Sequence, residues 1–200
     1  MCIILYKPSG RHLNKEHLKI AFQNNPHGYG FMWVENGHLN IIKGIAKDFT
    51  EIWGLTKHLS EFAYTMHLRW RTTGPISMEQ CHPFQILDKK HDGLGFGVVH
   101  NGTLFELQHH PDKSDTQIFS EIFRDEILEK DPEFNLNYIH KIADNIDINN
   151  KMVFMTSDNR IFFVNKHLGK TIDGIWYSNT YSLLNGYRRK IMKPKLSNSY

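Results

Sequence analysis

The chain has 200 residues, 40% hydrophobic and 22% charged, a balance that excludes a disordered polymer and lets one core form without disulfides or metals; a single domain over residues 1–200 is expected. Its net charge of +3 is too small for a nucleic-acid-binding protein, and the basic residues gather only in Tyr187-Arg188-Arg189-Lys190 and Lys193-Pro194-Lys195, which read as a short solvated tail from about residue 187. No apolar run approaches the roughly 20 residues of a membrane-spanning helix, Cys2 to Tyr6 is too short for a signal-peptide core, and a cytoplasmic protein is expected.

In chain order, Cys2-Ile3-Ile4-Leu5-Tyr6 is a short apolar run closed by Lys7-Pro8-Ser9-Gly10, a buried strand and a turn. Leu13, His17, Leu18, Ala21 and Phe22 then recur at helical spacing until Asn25-Pro26 and Gly28. Gly30 to Val34 and Leu39 to Ile42 flank Asn36-Gly37, the strongest short signal for a tight hairpin. Asp48-Phe49-Thr50-Glu51 has the form of a capping box ahead of Ile52, Leu55 and Leu59.

Phe62 to Arg69 and Leu94 to His100 are strand candidates. Ser114-Asp115-Thr116-Gln117 repeats the capping pattern before Ile118, Ile122, Ile127 and Leu128, and Leu136 to Ile146 is a further amphipathic stretch. Met152 to Thr156 and Ile161 to Val164 bracket Asp158-Asn159 as a second hairpin, and Gly174 to Ser178 is the last strand. Helices in two groups separated by hairpin-connected strands imply α+β layers with antiparallel sheets.

Four short segments could carry chemistry. A cysteine at position 2 can present a thiol and, once the initiator methionine is removed, a free α-amine whose ordinary pKa of about 7.7–8.0 lies close to the thiol's. Arg69, at the end of a strand and beside Trp70 and Thr72-Thr73, offers a planar fork for a carboxylate. Asn101 and Gly102, after the strand Gly95 to Val99, can aim an amide and a backbone N–H at one oxygen. Asp115 puts a carboxylate at a helix start, where it can meet an ammonium, while Ser114 can serve as the cap. Each has a plain structural alternative: a buried strand cysteine, a surface arginine, a turn and a helix cap. Two cysteines without a Cys-x-x-Cys pair and thirteen scattered histidines suggest neither a disulfide framework nor a metal site.

Taken together, Met1-Cys2, His67-x-Arg69-x-x-Thr72-x-Gly74, His100-Asn101-Gly102 and Ser114-Asp115-Thr116 resemble the class II glutamine amidotransferases. Gln80-Cys81-His82-Pro83-Phe84 and Trp176-Tyr177-Ser178-Asn179 extend the likeness. The resemblance implies a four-layer αββα Ntn-hydrolase sandwich with two mainly antiparallel sheets. It makes Cys2 the nucleophile and Asn101 with Gly102 the oxyanion hole. Arg69 would hold the α-carboxylate of L-glutamine and Asp115 its α-ammonium, with Trp70, Thr72, Thr73 and His100 also in the substrate site.

The implied activity is hydrolysis of L-glutamine to glutamate and ammonia through a γ-glutamyl thioester, without metal or cofactor. A chain of this length has room for the glutaminase domain alone, so a separate ammonia-accepting synthase or ligase subunit is expected. Two other readings are a stand-alone amidohydrolase acting on another γ-glutamyl or amide substrate, and a non-catalytic binding domain. The sequence departs from many relatives at His27, where they carry aspartate, at Thr73, where some carry histidine, and at Ser178-Asn179, where a serine-acid pair is more usual.

Overall fold

A computed structural model describes residues 2–71, 76–88, 94–107, 110, 112–130, 146–147 and 149–180. Thr72, Thr73, most of the 136–146 stretch and the basic tail lie outside them. In order, the described elements are β1 (Ile3–Lys7), α1 (Lys15–Asn24), β2 (Tyr29–Glu35), β3 (His38–Gly44), α2 (Phe49–His58), β4 (Tyr64–Leu68) and β5 (Phe84–Leu87). There follow β6 (Phe96–Asn101), α3 (Asp115–Lys130), β7 (Lys151–Thr156), β8 (Ile161–Val164), β9 (Lys170–Ile172) and β10 (Ile175–Tyr177).

Local chemistry sets many of these boundaries. Asn14 Oδ1 accepts from the N–H groups of Glu16 and His17 at the start of α1. Asp48 Oδ1 does the same for Thr50 and Glu51 at α2, satisfying donors that a helix start leaves orphaned. The capping box there is half made: Glu51 does not return to Asp48 but accepts from the Lys47 N–H and the Tyr29 hydroxyl. Asn36 and Gly37 turn the β2–β3 hairpin with φ of 52° and 72°, the left-handed pair that a two-residue turn requires.

The strands form two sheets, six-stranded in the order β3-β2-β4-β1-β10-β9 and four-stranded in the order β5-β6-β7-β8. The pairings in both are antiparallel. Alternation along each strand then builds the layers. Ile3 and Leu5 of β1, with Tyr64, Met66 and Leu68 of β4, face Leu18 and Ala21 of α1 and Ile52 of α2. Phe96 and Val98 of β6 and Phe154 of β7 face Phe123 and Ile127 of α3.

The opposite faces meet each other, with Ile4 and Trp176 of the larger sheet against Val99 and Val153 of the smaller. Each such aliphatic side chain, fully buried, contributes about 1.5–3 kcal/mol. The order of layers is therefore helix, sheet, sheet, helix, the expected αββα sandwich. Gly30 permits one close crossing between the sheets, because a Cβ there would lie 1.9 Å from the His82 carbonyl oxygen.

Candidate active site

Cys2 lies where the middle of the larger sheet meets the end of the smaller one. β1 pairs with β4 on one side, Ile3 opposite Leu68, so the residue before β1 sits against the chain leaving β4. The Cys2 thiol donates to the Trp70 carbonyl at 3.4 Å, and its Sγ accepts from the Trp70 N–H at 3.3 Å. On the other side β1 pairs with β10, which brings Ser178 and Asn179 alongside. Ile4 N–H donates to Ser178 Oγ at 2.9 Å, and Ser178 N–H to the Ile4 carbonyl at 2.8 Å.

Asn101, the last residue of β6, reaches across from the smaller sheet. Its side-chain amide donates to the Cys2 carbonyl at 2.8 Å and to Ser178 Oγ at 2.8 Å, and the Asn179 amide donates to the same Cys2 carbonyl at 2.7 Å. Two amides thus clamp the cysteine's backbone and leave its thiol directed at Trp70. Burial pushes the thiol pKa up, offset in part by the Trp70 N–H and the Arg69 guanidinium.

Arg69 is buried on the inter-sheet face of the chain leaving β4, in step with Thr65 and His67. Its backbone is tied to the loop before β2, its N–H donating to the Gly28 carbonyl at 2.8 Å and its carbonyl accepting from His27 at 3.0 Å. Trp70 is 41% exposed, its ring 4.7 Å from that of His27. His27 Nδ1 accepts from the Arg71 N–H at 2.9 Å.

Asp115 opens α3 with both carboxylate oxygens engaged: Oδ2 accepts from the Leu104 N–H at 2.7 Å and Oδ1 from the Thr116 N–H at 2.6 Å. Ser114 is the helix cap, its Oγ accepting from the Gln117 N–H at 3.2 Å. Asp115 is thereby linked to the turn that follows Asn101. Gly102 in that turn has φ of 155°.

His100 precedes Asn101 in a strand and so points to the opposite face, toward α3. It is buried, with Nδ1 2.8 Å from Thr116 Oγ1 and Nε2 2.9 Å from Asn150 Oδ1. His67, another buried imidazole, has no hydrogen-bond partner on either ring nitrogen among the described residues. Burial, with the Arg69 guanidinium nearby, drives its pKa down to about 3. His82 stacks on His67 with ring centroids 4.3 Å apart and accepts on Nδ1 from the His100 N–H at 3.1 Å.

The structure therefore brings Cys2, Arg69, Trp70 and Asn101 together, with Gly102 and Asp115 joined to them through the 101–104 turn. Asn150, Ser178 and Asn179 also belong to the site and had no role assigned from the sequence; for Ser178-Asn179 the place just after the last strand was the available signal. A cavity of about 280 Å³ lined by Lys7, His12, Trp53 and Lys57 lies elsewhere, on the helix-covered face of the larger sheet. Among the described residues, no three His, Cys, Asp or Glu side chains gather in a way that could hold a metal ion, and no helix is long and apolar enough to cross a membrane.

No family model matches the sequence. Half of this chain (50%) aligns over 117 positions, at 29% identity, with part of the hybrid PKS-NRPS synthetase iliA of Neonectria sp. (strain DH2), of which it covers 3%. Among solved structures, the allosteric regulatory enzyme of purine biosynthesis superposes with a TM-score of 0.55 at 16% identity over 92% of this chain. The glutamine phosphoribosylpyrophosphate (PRPP) amidotransferase from B. subtilis does so with a TM-score of 0.54 at 15% identity over 92%. This chain spans 43% of the length of each of those two. With its helix-sheet-sheet-helix layers and antiparallel pairing, the chain has the Ntn-hydrolase fold of the glutamine PRPP amidotransferases.

Proposed function

We propose that this chain is a class II glutamine amidotransferase, hydrolysing L-glutamine to glutamate and ammonia through a γ-glutamyl thioester on Cys2 and handing the ammonia to a synthase or ligase. The observation that carries the reading is the meeting of Cys2, Arg69-Trp70 and Asn101 at one point of this fold, from strands of both sheets.

Because burial holds the Cys2 thiol protonated at neutral pH, attack needs a base. After removal of Met1 the α-amine of Cys2 takes that proton as Sγ bonds to the side-chain amide carbon of glutamine. The carbonyl electrons move to oxygen, giving an oxyanion held by the Gly102 N–H and the Asn101 amide. Asn101 already spends both amide protons on Cys2 and Ser178, so it exchanges one of these bonds for the oxyanion. Such a donor is worth about 2.7–4 kcal/mol in the barrier.

Collapse breaks the C–N bond, and the ammonium proton of Cys2 leaves with the departing nitrogen as ammonia. Water, giving a proton back to the amine, then attacks the thioester, and glutamate departs as Sγ recovers its proton. Arg69 binds the substrate α-carboxylate and Asp115 its α-ammonium, the two Asp115 oxygens retaining lone pairs beyond the N–H groups they already accept. Thr72 and Thr73 complete the pocket in this reading, and His100 acts from behind it.

Glutamate release from glutamine, measured with protein whose amino terminus is Cys2, tests the proposal. An electrophilic glutamine analogue should label Cys2 and spare the buried Cys81. Turnover of other γ-glutamyl amides with none of glutamine would instead favour a stand-alone amidohydrolase, and no turnover or labelling a binding domain.

A further inference from the structure

We infer that Asn150 is the positioning residue of the oxyanion turn: its side-chain oxygen holds the Thr103 N–H and dictates which nitrogen of His100 carries the proton, joining the turn to the Asp115 end of the pocket. The catalytic part of this inference rests on the glutaminase reading; the proton assignment does not.

The assignment follows from donors and acceptors. Thr103 N–H lies 2.7 Å from the Asn150 side-chain atom, and a backbone N–H can only donate, so that atom is the oxygen. The same oxygen is 2.9 Å from His100 Nε2 and cannot donate in return, so Nε2 carries the hydrogen. The buried ring stays neutral, which leaves Nδ1 bare, and the single proton of the Thr116 hydroxyl then goes to Nδ1 at 2.8 Å in preference to Asp115 Oδ1, 3.1 Å from the same hydroxyl. Thr116 is the residue after Asp115, and Asp115 in turn holds the Leu104 N–H. The 102–104 turn is thus gripped by Asn150 on one side and by Asp115 on the other.

Shape supports the same conclusion. A Cβ at Gly102 would fall 2.1 Å from Asn150 Oδ1 and 2.9 Å from its Cα, so the turn is moulded directly on this side chain. Asn150 is itself immobilised. It is 1% exposed, its N–H donates to the Asp147 carbonyl at 2.9 Å, and its carbonyl accepts from the Asn165 amide at 2.8 Å. It also directly precedes Lys151, the register partner of Asn101 across β6 and β7. A residue fixed to this degree sets the direction of the Gly102 N–H without touching substrate.

The test combines nitrogen NMR of His100 with glutamine kinetics on wild type, Asn150→Ala and Asn150→Asp. The wild-type ring should be the Nε2–H tautomer, with that preference lost in N150A; an Nδ1–H wild-type ring, or an unchanged tautomer in N150A, overturns the assignment. N150A should lower kcat about tenfold or more with KM within about threefold, a fraction of the loss from deleting an oxyanion donor. N150D keeps the acceptor oxygen and should hold both the tautomer and kcat within about threefold of wild type. Full activity in N150A, or a loss in N150D as large as in N150A, removes the positioning role. Wild-type protein inactive on glutamine sinks the glutaminase reading and the catalytic half with it, and the tautomer then decides the structural half alone.

Discussion

His67 and His100 are both buried imidazoles on strands that end beside Cys2, yet their surroundings are opposite. His100 has each ring nitrogen within 2.9 Å of a fixed partner, whereas His67 has none among the described residues and is held neutral by burial. A bonded imidazole transmits position from one element to the next. An unbonded one forfeits hydrogen bonds that water would have supplied, at about 1–3 kcal/mol. The larger sheet therefore meets the site with the proposed nucleophile and an internal cost, and the smaller sheet with a wired support for the turn proposed to receive the oxyanion.

The largest expected effects fall where the two sheets touch. Cys2→Ala should fold and lose glutamine hydrolysis on the order of 10³-fold or more if it removes the proposed nucleophile. Retaining Met1 acylates the amine proposed as base and should cost about 10² to 10⁴ in rate. Intact-mass measurement paired with glutamate release on processed and unprocessed protein checks this, and equal activity in the two forms would move the base elsewhere. Asn101→Ala should lower kcat about 10² to 10³-fold through the lost oxyanion donor. Because it also removes one of the two amide donors to the Cys2 carbonyl and one of the two hydrogen bonds to Ser178 Oγ, its melting temperature should fall, which Cys2→Ala should not reproduce.

Smaller losses are expected one layer out. Arg69→Ala and Asp115→Asn should each reduce kcat/KM by about 1.5–3 kcal/mol, the usual value of a charge-assisted contact. Asp115→Asn should also loosen the Leu104 N–H, so only Arg69→Ala is expected to spare the 101–104 turn, as backbone hydrogen exchange at Leu104 would show. Full efficiency with a lowered melting temperature in both would make them structural residues.

How far the sequence alone could reach follows the range of each interaction. The Asn36-Gly37 hairpin and the Asp48 and Ser114 caps are legible because donor, acceptor and turn lie within three residues of one another. β5 and β9 are four and three residues long and are defined by partners elsewhere in their sheets, so no internal period marks them. The clamp on Cys2 was less accessible still, since its amides come from residues 99 and 177 positions away. His100 is different. Alternation along β6 already sends it and Asn101 to opposite faces, so two residues adjacent in one strand could not line one pocket side by side.

The smallest effect separates the two histidines directly. The unfolded His67 has an ordinary pKa of about 6.5 and the folded one is depressed to about 3. Between those values the unfolded chain binds a proton that the folded chain refuses, so the stability His67 contributes is complete above about pH 6.5 and is lost as pH falls toward 3. The slope approaches about 1.4 kcal/mol per pH unit for one such group. His67→Leu removes this proton uptake and the unpartnered nitrogens, so at pH 7.5 its stability should stay within about 1 kcal/mol of wild type, and by pH 5 it should exceed wild type. His100→Leu removes two buried hydrogen bonds, leaving the Asn150 oxygen with the Thr103 N–H alone and the Thr116 hydroxyl with Asp115 alone, and should cost about 1–3 kcal/mol already at pH 7.5. Denaturant midpoints for both variants at the two pH values decide it. If His67→Leu proved as damaging as His100→Leu at neutral pH, His67 would have a bonded partner after all, and the contrast between the two sheets would fall.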